Sequence, residues 1–173
     1  TETHSEVTEQ AKSWLETYKP ILLIFAYISI ISTLIQLGNS SFNYMEWMRY
    51  FMAGFFLSFS FFKMLNLKGF AESYVMYDVV AKKIPSWAYI YAFIELGLGI
   101  AYLTNFQAIA TYIITIVVMS ISIVGVLQSV LNKKKIQCAC LGDIFKLPMS
   151  TVTIIEDALM IAMSIFMLIK TTI

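Results

Sequence analysis

Apolar and polar residues alternate along the chain in long blocks rather than with a two-residue period. Five blocks are long and apolar enough to be membrane helices, which need about 20 such residues. They cover 20–38, 45–67, 87–105, 107–131 and 150–169. The first opens on Pro20 and closes on Gly38, the residues favoured at a helix start and just past a helix end. Ser150 or Thr151 is the candidate cap of the fifth. Between the second and third blocks, Phe70, Tyr74, Tyr77 and Ala81 recur at helical spacing among charges. This predicts an amphipathic helix at the membrane surface within 68–86, stopping before Pro85. The expected fold is an all-α integral membrane protein. Its bundle would have about five transmembrane helices, with a four-helix core and one amphipathic surface helix.

The N-terminal stretch 1–19 is polar and acidic, unlike a signal peptide, and predicts a linker or a short surface helix. The chain starts at Thr1, which predicts a processed or trimmed end. Residues 20–173 are expected to form one helical-bundle domain, and no internal repeat is visible.

Composition supports a lipid solvent. Of 173 residues 59% are hydrophobic and only 13% charged, against about 25% charged in an average soluble domain. The net charge of +1 gives no reason to expect a nucleic acid or polyanionic partner. The partner expected from composition is the lipid bilayer.

Lysine placement predicts orientation, because cytoplasmic loops carry the excess of Lys and Arg. Lys12 and Lys19 precede the first block; the second ends in Lys63 and Lys68, and the next loop adds Lys82 and Lys83; Lys133, Lys134, Lys135 and Lys146 follow the fourth. The other two loops have none, and Arg49 is the one exception. The alternation puts the N-terminus and the loop after the fourth helix in the cytoplasm, with the C-terminus outside.

Four ionisable residues are read as lying inside the membrane: Lys63, Glu95, Glu156 and Asp157. Such residues are costly in a membrane and are functional-site candidates. At about 1.5 Å of rise per residue they lie roughly 6, 12 and 9–10 Å from the same membrane face. Lys63 and Glu95 are expected to pair; the competing reading is that the charges serve helix register alone. Adjacent carboxylates point about 100° apart on a helix. Glu156 and Asp157 are therefore expected to divide, one towards the bundle and one towards headgroups or water.

The only two cysteines, Cys138 and Cys140, lie one residue apart after the three lysines. Nearby cations favour the reactive thiolate. A bridge so short is constrained and labile, which suits exchange better than architecture. Two thiolates can also hold a soft metal such as Cu(I) or Zn(II). The one histidine, His4, is remote, so no complete zinc site is expected. The bland alternative is two inert small residues. Small residues four apart, Gly54 with Ser58 and Gly97 with Ala101, predict close helix approach. Trp47 and Trp87 read as interface anchors. The phenylalanines from Phe51 to Phe62 read as packing against lipid and helices, with a quinone pocket as the alternative.

Arg49, Gly54, Lys63, the run Gly69, Phe70, Ala71, and Glu95, Gly97, Gly99 together resemble the DoxX/MauE group of bacterial membrane proteins. "CACLG", from Cys138 to Gly142, is similar to the Cys-x-Cys-aromatic-Gly element of the MauE branch, with Leu141 in the aromatic position. The resemblance covers about 45–170. Glu156 and Asp157 stand where the family's last helix often starts with a basic residue. The resemblance implies a redox-associated bundle of the inner membrane, similar in shape to quinone-linked disulfide enzymes. It implies a role in methylamine utilisation, through disulfide formation in the small subunit of methylamine dehydrogenase, with a thioredoxin-like partner.

The leading expectation is a thiol–disulfide relay. Cys138 and Cys140 would be the redox pair, Glu95 and Glu156 would handle protons, and Lys63 would be the counter-charge. A quinone is the candidate cofactor. The rivals are a soft-metal transporter using Cys138 and Cys140 as ligands, and a scaffold subunit without chemistry.

Overall fold

In a computed structural model, described here for residues 2–76, 78–131 and 149–173, the chain forms seven helices and no strand among those residues. They are α1 (Glu2–Leu37), α2 (Tyr44–Leu65), α3 (Leu67–Val75), α4 (Val79–Lys83), α5 (Ser86–Thr104), α6 (Ala108–Leu131) and α7 (Met149–Thr172). Helices α1, α5, α6 and α7 are each long and apolar enough to cross a membrane. A fifth candidate span is α2 with α3, bent by 98° at their junction. The all-α membrane bundle read from the sequence is the fold observed.

Its first helix differs from expectation. Pro20 lies inside α1 rather than opening it, and the polar stretch ahead of it is helical from Glu2. A proline inside a helix removes one hydrogen bond, which costs about 3 kcal/mol. The preceding turns are rich in helix formers. Trp14 packs on Tyr18 one turn later, with ring centroids 5.1 Å apart.

α1 is fastened to α2 at their shared turn. Gln36 accepts from the Asn43 N–H (3.0 Å) and donates to Glu46 (3.2 Å). The Trp47 indole donates to Thr33 (3.0 Å). Asn43 caps α2 by accepting from the Met45 N–H at 3.0 Å.

The predicted amphipathic helix within 68–86 is two helices. Asn66 leaves helical geometry (φ −142°, ψ 66°) and accepts from the Gly69 N–H, which turns the chain sharply into α3. Asp78 starts α4 by accepting from the Ala81 N–H at 2.8 Å. α4 stops at Lys83, ahead of Pro85 as expected. The apolar side of this segment, Phe70, Ala71, Tyr74 and Ala81, is buried against the bundle. α3 packs on α5, and α4 packs mainly on α6.

Two helix pairs make the body of the bundle, α2 with α5 and α6 with α7. α1 packs chiefly on α2. The α2–α5 pair is close because Gly99 faces Leu57. A methyl group at Gly99 would meet the Leu57 side chain at 2.9 Å and its backbone nitrogen at 3.1 Å. Gly97, the residue predicted to allow close approach, faces open space. The one-in-four spacing placed the small residue on the wrong face, and Gly99 supplies the approach. Gly99→Ala is expected to lower stability by about 1–3 kcal/mol, because the neighbouring backbone cannot move aside as a side-chain tip can. Gly97→Ala should leave the melting temperature in detergent unchanged. An equal response from both would contradict this packing.

Candidate functional site

The bend between α2 and α3 brings the last turn of α2 under the α3 aromatics, and this places Lys63. Its ammonium donates to Glu95 of α5 and lies 3.4 Å from Glu156 of α7. Lys63 side-chain exposure is 6%, Glu95 0% and Glu156 3%, so three helices contribute one sealed ionic group. The predicted Lys63–Glu95 pair is present, and Glu156 joins it. The ammonium also sits over two rings, 4.9 Å from the Tyr91 centroid and 5.3 Å from that of Phe70.

Asp157 departs from expectation. It is fully buried beside Glu156 instead of turning to headgroups or water. The reason is a separate partner: its Oδ1 lies 3.4 Å from the Tyr91 hydroxyl, which also lies 3.7 Å from the Met119 sulfur. Two carboxylates 100° apart on α7 thus face two different donors, Lys63 and Tyr91. Ser122 of α6 lies beside Asp157. One oxygen of Glu95 and one of Asp157 are buried without a hydrogen-bond partner among the described residues. The group therefore sets three carboxyls against one ammonium.

Tyr91, Phe70 and Tyr74 are parts of this site that sequence reasoning did not assign to it. A signal existed for Tyr91, which precedes Glu95 by four residues and so shares its helix face. The three rings stack: Phe70 on Tyr74 at 5.3 Å, and Tyr74 on Tyr91 at 4.9 Å.

A second polar group joins α5, α6 and α7. The Thr115 hydroxyl donates to the Thr111 carbonyl (2.8 Å). It therefore accepts from Tyr102 (2.8 Å), which in turn accepts from Ser164 (3.0 Å). Arg49, the exception in the lysine pattern, donates to the Tyr102 and Leu103 carbonyls at 2.9 and 3.0 Å. It satisfies the open carbonyls at the end of α5. Both polar groups bridge the α2–α5 pair to the α6–α7 pair.

Cys138, Cys140 and the three lysines before them lie in 132–148, outside the described residues. That segment enters α7 seven residues before Glu156, about 10 Å along the helix axis. Among the described residues no three His, Cys, Asp or Glu side chains converge as a metal site. A lipid-facing groove of about 570 Å³ runs between α1 and α2, lined by Leu23, Tyr27, Leu57, Ser58, Phe61 and Phe62 among others. None of the four charged residues lines it. Its lining carries two hydroxyls, those of Tyr27 and Ser58, among apolar side chains.

Residues 41–170 match the family model described as Methylamine utilisation protein MauE. The match starts just before α2 and leaves out α1. No curated protein and no solved structure matches the chain. With most of its length inside the family model and four or five helices able to span a bilayer, the chain is a multi-pass membrane protein that belongs to the MauE family.

Proposed function

We propose that the protein is a thiol–disulfide relay of methylamine utilisation in a bacterial inner membrane, acting with a thioredoxin-like partner. The observation that carries this reading is the meeting of Lys63, Glu95 and Glu156 from three helices, in a chain that holds its two cysteines shortly before α7 in sequence. A thiolate at Cys138 or Cys140 attacks the partner's disulfide and forms a mixed disulfide. The other cysteine then displaces the partner. Two electrons and two protons pass from one dithiol to the other disulfide, and no further reactant is needed. The buried carboxyls take and return the protons that leave as each thiol ionises, and Lys63 balances the charge. Membership of the MauE family supports the link to methylamine utilisation.

The soft-metal alternative has less support. A metal passed inward from Cys138 and Cys140 would meet carboxylates turned towards Lys63 and Tyr91, not a convergent ligand set.

Trapping tests the relay. Cys140→Ser should accumulate a mixed disulfide with a thioredoxin-like protein if Cys138 attacks, and Cys138→Ser should do so if Cys140 attacks. Absence of any mixed disulfide in both variants would count against the relay. The lysine pattern makes a separate prediction about sidedness. A membrane-impermeant thiol reagent applied to intact, reduced cells should leave both cysteines unlabelled. Ready labelling would invert the orientation.

A further inference from the structure

Glu156 and Asp157 are neighbours on α7, yet they meet different surroundings. Glu156 lies 3.4 Å from the Lys63 ammonium, which also donates to Glu95. Asp157 is not an ion-pair partner of that ammonium among the described residues. It meets a phenol instead: its Oδ1 lies 3.4 Å from the Tyr91 hydroxyl. Its Oδ2 is buried without a hydrogen-bond partner among the described residues.

We propose that Asp157 is the resident acid of this group: it holds a proton on Oδ2, and the carboxylate charge lies with Glu95 and Glu156 at Lys63. The protonated acid follows from the geometry, and its part in the relay rests on the proton-handling reading of the site. A carboxylate buried without an opposite charge takes up a proton rather than stay ionised, because nothing in an apolar interior replaces its water. Asp157 is fully buried. Its charged and titratable neighbours are Lys63 from α2, Tyr91 from α5 and Glu156 on its own helix. Glu95, also on α5, is engaged by Lys63. The titratable residue of α6 among those described, Tyr112, lies beside Tyr102. Asp157 thus has a like charge next to it and no cation paired with it.

The position of the proton follows from the same contacts. Oδ1 accepts from Tyr91, so Oδ2 is the oxygen left to carry it. A receiver stands on α6, where the Ser122 hydroxyl is also buried without a partner among the described residues. Ser122 follows Met119 by three residues and shares its helix face. The Met119 sulfur lies 3.7 Å from the same Tyr91 hydroxyl, which brings that face to Asp157. Carboxyls in unlike surroundings divide acid and base roles between them. Asp157 has a proton to give, and the carboxylates at Lys63 can receive one.

The test is infrared spectroscopy of the full chain in lipid vesicles at neutral pH. Two samples carry carbon-13 in side-chain carboxyls, one in aspartate and one in glutamate. The parent is expected to show a protonated-carboxyl C=O band that moves with the aspartate label and not with the glutamate label. Asp157→Asn should lose that band and melt like the parent, since a neutral amide of the same size replaces a neutral acid. The chain's other aspartates are Asp78 and Asp143, and Asp78→Asn and Asp143→Asn should each keep the band. These two variants assign it to Asp157 by elimination even if Asp157→Asn fails to fold. A band that moves only with the glutamate label, or that survives in Asp157→Asn, overturns the assignment. So does the absence of any protonated-carboxyl band. Proton handling is judged separately, from the difference between the dithiol and disulfide forms. An Asp157 band identical in both forms keeps the resident acid and overturns proton handling; a glutamate band that changes between them does the reverse.

Discussion

Replacing Lys63 by Met is expected to destabilise the protein by about 3–5 kcal/mol, the cost of leaving a buried charge without its partner. The loss is large because Lys63 faces two carboxylates rather than one. Without the ammonium, Glu95 and Glu156 face each other inside an apolar bundle. The double change Lys63→Met with Glu95→Gln should therefore recover part of the loss and leave Glu156 stranded. The triple change that adds Glu156→Gln should recover most of it. Thermal unfolding in a fixed detergent measures the series. Losses that simply add across the three positions would mean that the side chains do not act as one group.

Replacing either cysteine by Ser should have the opposite signature. Cys138→Ser or Cys140→Ser is expected to abolish disulfide maturation while leaving the melting temperature where it was. Serine conserves size and removes the thiolate, the species that attacks. The helices that make the core are joined without the cysteines: the described hydrogen bonds and ring contacts run between α1–α7 themselves. Growth on methylamine, with the redox state of the small subunit of methylamine dehydrogenase, gives the activity. Detergent melting gives the fold. If both variants support full maturation, the scaffold reading replaces the relay.

The spans were legible because a bilayer imposes one demand, a long apolar block, and the sequence carries five of them. The Lys63–Glu95 pair was legible for a related reason. Two opposite charges at similar depth on nearby helices have few other ways to be neutralised. Features set by rotation about a helix axis were harder to read. Gly97 and Gly99 differ by 200° around α5, and only the position of Leu57 on the facing helix decides which one is needed. The burial of Asp157 depended on Tyr91, a residue that reads as an ordinary aromatic in a membrane helix. The α3–α4 segment reads as amphipathic whether its apolar side meets lipid or covers a charged site. Pro20 was read as a helix start, but the helix continues through it.

The order of the charges along the chain has a consequence for biogenesis. Of the helices that carry these charges, α2 is synthesised first and brings Lys63 into the membrane; α5 follows with Glu95 and Tyr91. The ammonium and its first carboxylate can neutralise each other before α7 exists. α7 then arrives last with Glu156 and Asp157, each of which would oppose insertion by roughly 2.5–3.5 kcal/mol on an isolated helix. Both find a receiver already in the bilayer, Lys63 for one and Tyr91 for the other. The final helix is thus the one whose insertion depends on its predecessors. A chain that stops after α6 keeps its paired charges, whereas α7 produced alone has neither receiver.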